Sequence, residues 1–101
     1  MKDEGLYNLF ELLVEMNDAA KASNIEKVNS LNKKFSGLYV AIFNNKERDK
    51  NLERLFDLAR NNIIYINWDE IHSERYPREY FLDEGDHYLE LIRERLFGPS
   101  M

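Results

Sequence analysis

The stretch that decides the predicted fold is SNIEKVNSLNKKFSGLYVAIF, residues 23–43. Ser23 and Glu26 are three positions apart, which is the spacing of a capping box at the start of a helix. Apolar side chains then recur at steps of three and four, the period of one helix face. These side chains are Ile25, Val28, Leu31, Phe35, Leu38 and Ile42. We predict a helix with Ser23 as its N-cap, ending at Asn44-Asn45, because Asn tolerates the left-handed conformation.

One glycine lies inside this helix. Gly37 destabilises a helix interior by about 1 kcal/mol relative to Ala. We therefore expect a packing reason for it, namely the close approach of another backbone.

The same period predicts a helix on each side of this one. The first runs from Lys2 to Ala22, and the third runs from about Lys46 to Ile66. The apolar residues 63–66 also fit a strand, but a lone strand would have no partner, so we favour a helix. Short links between the helices predict antiparallel neighbours.

Beyond residue 67 the pattern is less regular. Residues 67–70 fit a single helical turn, and residues 77–82 fit a short helix that Gly85 ends. Asp86 then caps a last helix through Leu96, and Gly98-Pro99 stops it. The predicted fold is all-α: a small antiparallel helical bundle with three long helices, an irregular aromatic segment with short helical turns, and one closing helix. We expect it to form a single domain, residues 1–101.

Composition sets broad limits on function. The chain has 101 residues, of which 44% are hydrophobic and 33% charged, so it is too apolar to be disordered. It has no cysteine and no run of the roughly 20 apolar residues that a membrane span needs. Asp3 and Glu4, close to Met1, do not fit the positively charged start of a secretory leader. We expect a cytoplasmic protein, phage or bacterial in type, without membrane association.

Catalytic and metal-binding patterns are weak. The four glycines are scattered and build no phosphate loop, and a serine nucleophile would have only His72 or His87 as a base. Metal ligands cluster near residues 70–74 and 83–87. However, His72 is two positions from both Glu70 and Glu74, which separates the three on a helix. We expect no enzyme, no cofactor and no metal site.

Charge is distributed unevenly along the chain. The net charge is −5, with a basic surplus in residues 21–60 and acidic surpluses on either side. In the basic part, acidic residues alternate with Lys and Arg, which is typical of solvated, ion-paired helix faces. We therefore predict no direct binding of nucleic acid, which needs a dense basic surface.

The most unusual region is residues 65–90, where aromatic and acidic side chains are mixed. Tyr and Trp often anchor protein interfaces, and acidic side chains around them favour a basic partner. The alternative is that these rings only close one end of a small core. The candidate partner-binding residues are Trp68, Asp69, Glu70, Glu74, Tyr76, Glu79, Tyr80, Asp83 and Glu84. Below, these nine residues are called the acidic aromatic surface.

Two functions fit these features. The first is a non-enzymatic protein-binding module, a stoichiometric inhibitor or immunity-type protein that binds a basic protein such as a nuclease. The second is a self-associating structural or assembly protein, a helical homodimer. The first two helices have wide apolar faces that would supply its seam. The predicted seam residues are Phe10, Leu13, Phe35, Tyr39 and Phe43.

Overall fold

The computed structural model describes residues 4–44 and 49–98. Over these two ranges the chain is helical and has no strand, which confirms the predicted bundle. The helices are α1, Glu4–Lys21; α2, Ile25–Phe43; α3, Lys50–Ile66; and α4, Arg78–Phe97, with a 3₁₀ turn at Asp69–Ile71 between α3 and α4. The predicted starts at Lys2 and Lys46, and the stop residues Asn45 and Pro99, lie outside the described ranges.

Helix α4 runs antiparallel to α1 along its whole length. At one end, the ring of Tyr7 stacks on that of Phe97, with centroids 4.9 Å apart. At the other end, the Arg78 guanidinium donates to the carbonyl of Ala20 at 3.1 Å. Because both ends are tied, α1 holds α4 in a fixed register.

Helix α4 is also antiparallel to α3. The carboxylate of Asp49, at the start of α3, pairs with Arg95 in the last turn of α4 at 2.8 Å. The side chain of Asn62, near the end of α3, donates to the Phe81 carbonyl at 2.7 Å. Helices α1 and α3 therefore point the same way, and both contact α4 as well as each other.

The core lies along α1, which contacts each of the other three helices. Helix α2 packs mainly on α1 and meets α3 over a short distance, where Phe35 and Phe43 approach Phe56. Ile63 and Ile66 are buried on α3, which confirms that residues 63–66 are helical.

Most of the predicted dimer seam lies inside a single copy of the chain. Leu13 and Phe35 are fully buried and Phe43 is 5% exposed, all within one copy of the chain. Phe10 and Tyr39 pack half-buried against the same core. The apolar face of α1 is wider than a helix with one neighbour needs, because α1 packs against three other helices.

The link between α1 and α2 corrects the predicted capping box. Ser23 has a φ of +58°, and its N–H donates to Ala20 O at 3.0 Å. The N–H of Asn24 donates to Ala19 O at 2.8 Å, which completes a Schellman motif at the end of α1. Asn24 is the N-cap of α2, and its side chain accepts from Lys27 N at 3.2 Å. Ser23 therefore ends the first helix, and Asn24 begins the second.

Two of the three predictions made from glycines are wrong, whereas Gly98 does end α4 as its C-cap. A methyl group at Gly37 would meet no atom of residues 4–44 and 49–98 within 4 Å, so no backbone of these ranges approaches there. Gly85 does not end a helix, since α4 passes through it without a break. A Cβ there would lie 2.9 Å from Asn17 Oδ1 and 3.2 Å from Asn62 Nδ2. The close approach expected at Gly37 is found at Gly85 instead.

Candidate protein-binding surface

A continuous run of five aromatic rings crosses the end of the molecule where α3 stops and α4 begins. Its order is Trp68, Tyr65, Phe81, Tyr80 and Tyr76, with successive centroids 5.9, 5.8, 5.2 and 4.9 Å apart. Phe81 is 8% exposed and Tyr65 is half-buried, whereas the other three rings are open to solvent. The inner rings close the core, and the outer rings form a surface.

Two polar side chains fasten this region to the C-terminal end of α1. The Asn67 amide donates to Ala20 O at 3.1 Å, to which the Arg78 guanidinium also donates. Arg78 reaches Lys21 O at 3.2 Å and Ser23 Oγ at 3.3 Å as well. The last carbonyls of a helix carry partial negative charge, so a cation there is stabilising. The surface is therefore carried on a segment anchored at both ends.

His72 contacts both inner residues of the aromatic run, Tyr65 and Phe81. Its Nε2 lies 2.7 Å from the carbonyl oxygen of Tyr65, and its ring stacks on Phe81 at a centroid distance of 5.4 Å. Its Nδ1 is 3.7 Å from the Asp69 carboxylate. A turn follows, in which Tyr76 N donates to Ser73 Oγ at 3.0 Å. These contacts orient the segment without regular secondary structure.

The acidic members of the surface are close to the outer rings in the sequence. The side chain of Asp69 is 95% exposed, and the other acidic members are exposed except Glu84, which is half-buried. Desolvation, and then the negative charge of Glu84, raise the pKa of Tyr80 above its usual 10.0. The Tyr80 hydroxyl, which is neutral at physiological pH in any case, is therefore a weaker acid than that of a free tyrosine. The remaining exposed acidic members are Glu70, Glu74, Glu79 and Asp83.

The nine predicted residues are reachable from solvent, but their three rings are divided between the two ends of the aromatic run. Tyr76 and Tyr80 meet edge to face at the start of α4, with Arg75 over the Tyr76 ring at 5.6 Å. Trp68 lies at the opposite end of the run and lines a groove with Ile25. Sequence reasoning missed Ile25, which it counted as core because of its helical spacing.

A polar junction inside the bundle also escaped sequence reasoning. Asn17 and Asn62 are 2% and 6% exposed, and they face Gly85 where α1, α3 and α4 meet. The Asn17 amide donates to Asp86 at 3.1 Å, and Asp86 also pairs with Lys21 at 2.8 Å. In the sequence, the feature that could have indicated this junction is the occurrence of Asn17 and Asn62 within the apolar pattern of two helices. The junction sets the register of α4, and the rings of the surface depend on that register.

The residues considered for metal binding are held apart. His72 is occupied by the contacts described above, and His87 is exposed on α4 beside Tyr88. Within residues 4–44 and 49–98, no three His, Asp or Glu side chains are grouped as metal ligands.

Among the helices described, none combines the length and the apolar character needed to cross a membrane. No family model, no curated protein and no solved structure matches this chain. Function is therefore inferred from the residues and geometry of the chain itself.

Proposed function

We propose that this protein is a non-enzymatic binding module whose acidic aromatic surface binds a basic protein. The observation that carries this proposal is the exposure of three large aromatic rings on one continuous run. Trp68, Tyr76 and Tyr80 are 46%, 40% and 39% exposed, and exposed acidic residues are close to each of them in the sequence. Rings of this kind supply interface area at low entropic cost, and the carboxylates supply steering toward positive charge.

In its finer form, the proposal is a stoichiometric inhibitor or immunity-type protein of the phage or bacterial kind, acting in the cytoplasm. A nuclease suits this role, because its phosphate-binding cleft is lined by Lys and Arg. Carboxylates of Asp69, Glu74 and Asp83 would pair with those cations while Tyr76 and Tyr80 bury their rings. Inhibition would then be steric and electrostatic, with no bond made or broken.

The affinity of such a complex should fall with ionic strength. We would immobilise the tagged chain, capture proteins from its native cells or host at about 50 mM salt, and elute with salt up to about 500 mM. The proposal expects one basic protein, retained at low salt and released as salt rises. Recovery of no basic protein, or of the chain alone, would contradict it; the second result would favour a self-assembling protein.

A further inference from the structure

A groove of about 190 Å³ lies beside Trp68, where the beginning of α2 meets the end of α3. A dry cavity of roughly 150 Å³ admits benzene, so this groove has room for one large apolar side chain. Its lining residues are Ile25, Val28, Asn29, Ile64, Asn67 and Trp68.

Two exposed apolar side chains line it, one from each helix end. Ile25 is 53% exposed at the first position of α2, and Trp68 is 46% exposed just after α3. Val28 and Ile64 lie deeper, since Val28 is 5% exposed and Ile64 half-buried. An apolar group entering the groove would therefore remove both exposed side chains from water, which favours binding.

The surroundings of the groove select the charge of its occupant. No lining residue is charged. Asp69 and Glu70 follow Trp68 directly and are exposed, whereas Glu26 and Lys27, which follow Ile25, offset each other. Arg78 shares the Ala20 carbonyl with the lining residue Asn67, but its guanidinium is bound to the carbonyls at the end of α1. The exposed charges that follow Trp68 are therefore negative, and a neighbouring cation is favoured there.

We propose that this groove receives one large apolar side chain from a basic segment of the partner, while Lys or Arg beside that side chain pairs with Asp69 and Glu70. This inference rests on the proposed function and adds its anchor point. In this proposal the two ends of the aromatic run contact the partner in different ways. The Trp68 end holds an inserted side chain, and the Tyr76–Tyr80 end provides an open platform.

Trp68 is the one tryptophan of the chain, so its fluorescence reports directly on the groove. We would titrate the full chain with short Lys-rich peptides that carry a central Leu, Met or Phe. Two control peptides replace the central residue with Ser or every Lys with Glu. We expect a blue shift of Trp68 emission with the Lys-rich apolar peptides and little change with either control.

Variants then locate the binding. Ile25→Ser should weaken binding of the best peptide about tenfold, as expected for a central apolar anchor. Val40→Ser is the matched control, because Val40 is also on α2 and is 59% exposed, and it should change nothing.

Three results would overturn the inference: no Trp68 response to any Lys-rich apolar peptide, an equal response to the Glu-containing peptide, or equal losses in the two variants. Peptide anisotropy separates this failure from failure of the proposed function. Peptide binding could leave Trp68 emission unchanged and yet be lost in Tyr80→Ala. That result would exclude the groove as the binding site, but it would still support a basic partner on the rest of the surface.

Discussion

At the scale of single residues, two glycines in helices have opposite surroundings. Gly37 is exposed with open space beside it, and Gly85 is buried against Asn17 and Asn62. The helix propensity of alanine is the same at both positions, so the difference between two alanine variants isolates packing. This pair tests whether the polar junction is as tight as its geometry indicates.

We expect Gly37→Ala to raise the free energy of unfolding by about 0.5–1 kcal/mol, the usual gain for Gly to Ala in an exposed helix. Gly85→Ala should lower it by about 1 kcal/mol, because overpacking of about 1–3 kcal/mol outweighs that gain. The Asn17 amide cannot move away without losing its bond to Asp86. Urea unfolding followed by circular dichroism measures both values. Equal stabilisation by the two substitutions would show that the junction has room.

Arg78 illustrates how a charge that looks like part of a surface has a structural role. Its guanidinium contacts two carbonyls and one hydroxyl at the end of α1. We expect Arg78→Ala to lower the free energy of unfolding by about 1–2 kcal/mol, through lost hydrogen bonds and lost interaction with the helix end. Arg75→Ala is the control, since Arg75 is exposed, and should change it by less than about 0.5 kcal/mol. Equal effects on thermal unfolding would contradict this role.

At the scale of elements, Asp49 connects two helices. Its side chain caps α3 by accepting from Asn51 N and Leu52 N at 3.0 and 3.1 Å, and it pairs with Arg95 of α4. The Leu52 N–H bond lowers the pKa of Asp49 most, and burial opposes it. The Arg95 charge and the Asn51 N–H bond lower the pKa further, so it lies below its usual 3.8. A lowered pKa in the folded state means that ionised Asp49 stabilises the fold.

This stabilisation should be fully present above pH 3.8 and disappear as pH falls through the lower pKa of the folded state. We expect Asp49→Ala to reduce the free energy of unfolding by about 1 kcal/mol near neutral pH. The difference between the two proteins should shrink as pH falls below 3.8 and the carboxyl of the folded protein takes up its proton. Asp49→Asn keeps a cap acceptor, so it should lose less. A difference that does not change with pH would exclude the charged form as the cause.

The elements also show how far local patterns predict structure. The helical period correctly identified α1, α2 and α3, including residues 63–66, because each helix buries a continuous stripe. The error at Gly85 has a different origin. Whether a glycine ends a helix or admits a neighbour depends on what packs against it, and Asn17 and Asn62 are distant in sequence. The shift of the cap from Ser23 to Asn24 came from the turn, where one residue ends α1 and the next begins α2.

At the scale of the whole molecule, the bundle uses its apolar stripes within one chain. Leu13, Phe35 and Phe43 are buried in the core, so these three residues are not available to a dimer seam. We expect sedimentation equilibrium to give the monomer mass of 12.1 kDa at all loading concentrations. A mass that rises with concentration would show association through another surface and revive the assembly hypothesis.

Only the local features of the candidate surface could be predicted from the sequence. Exposed acidic and aromatic residues between 65 and 90 could be recognised from composition. Their division into a Tyr76–Tyr80 platform and a Trp68 groove could not be predicted, because the groove also requires Ile25, which is distant from Trp68 in the sequence. The anchoring of this segment by Asn67 and Arg78 likewise depends on where α1 ends in space.

The most direct test of the central claim compares two charge reversals of equal size. Glu74→Lys with Asp83→Lys changes the acidic aromatic surface, and Glu11→Lys with Glu15→Lys makes the same change in net charge on exposed positions of α1. The association rate of the captured basic protein is measured with each variant. We predict that the first pair slows association about tenfold or more and the second pair much less, because steering depends on charge placed at the interface. Equal rates for the two variants would contradict the acidic aromatic surface as the binding site.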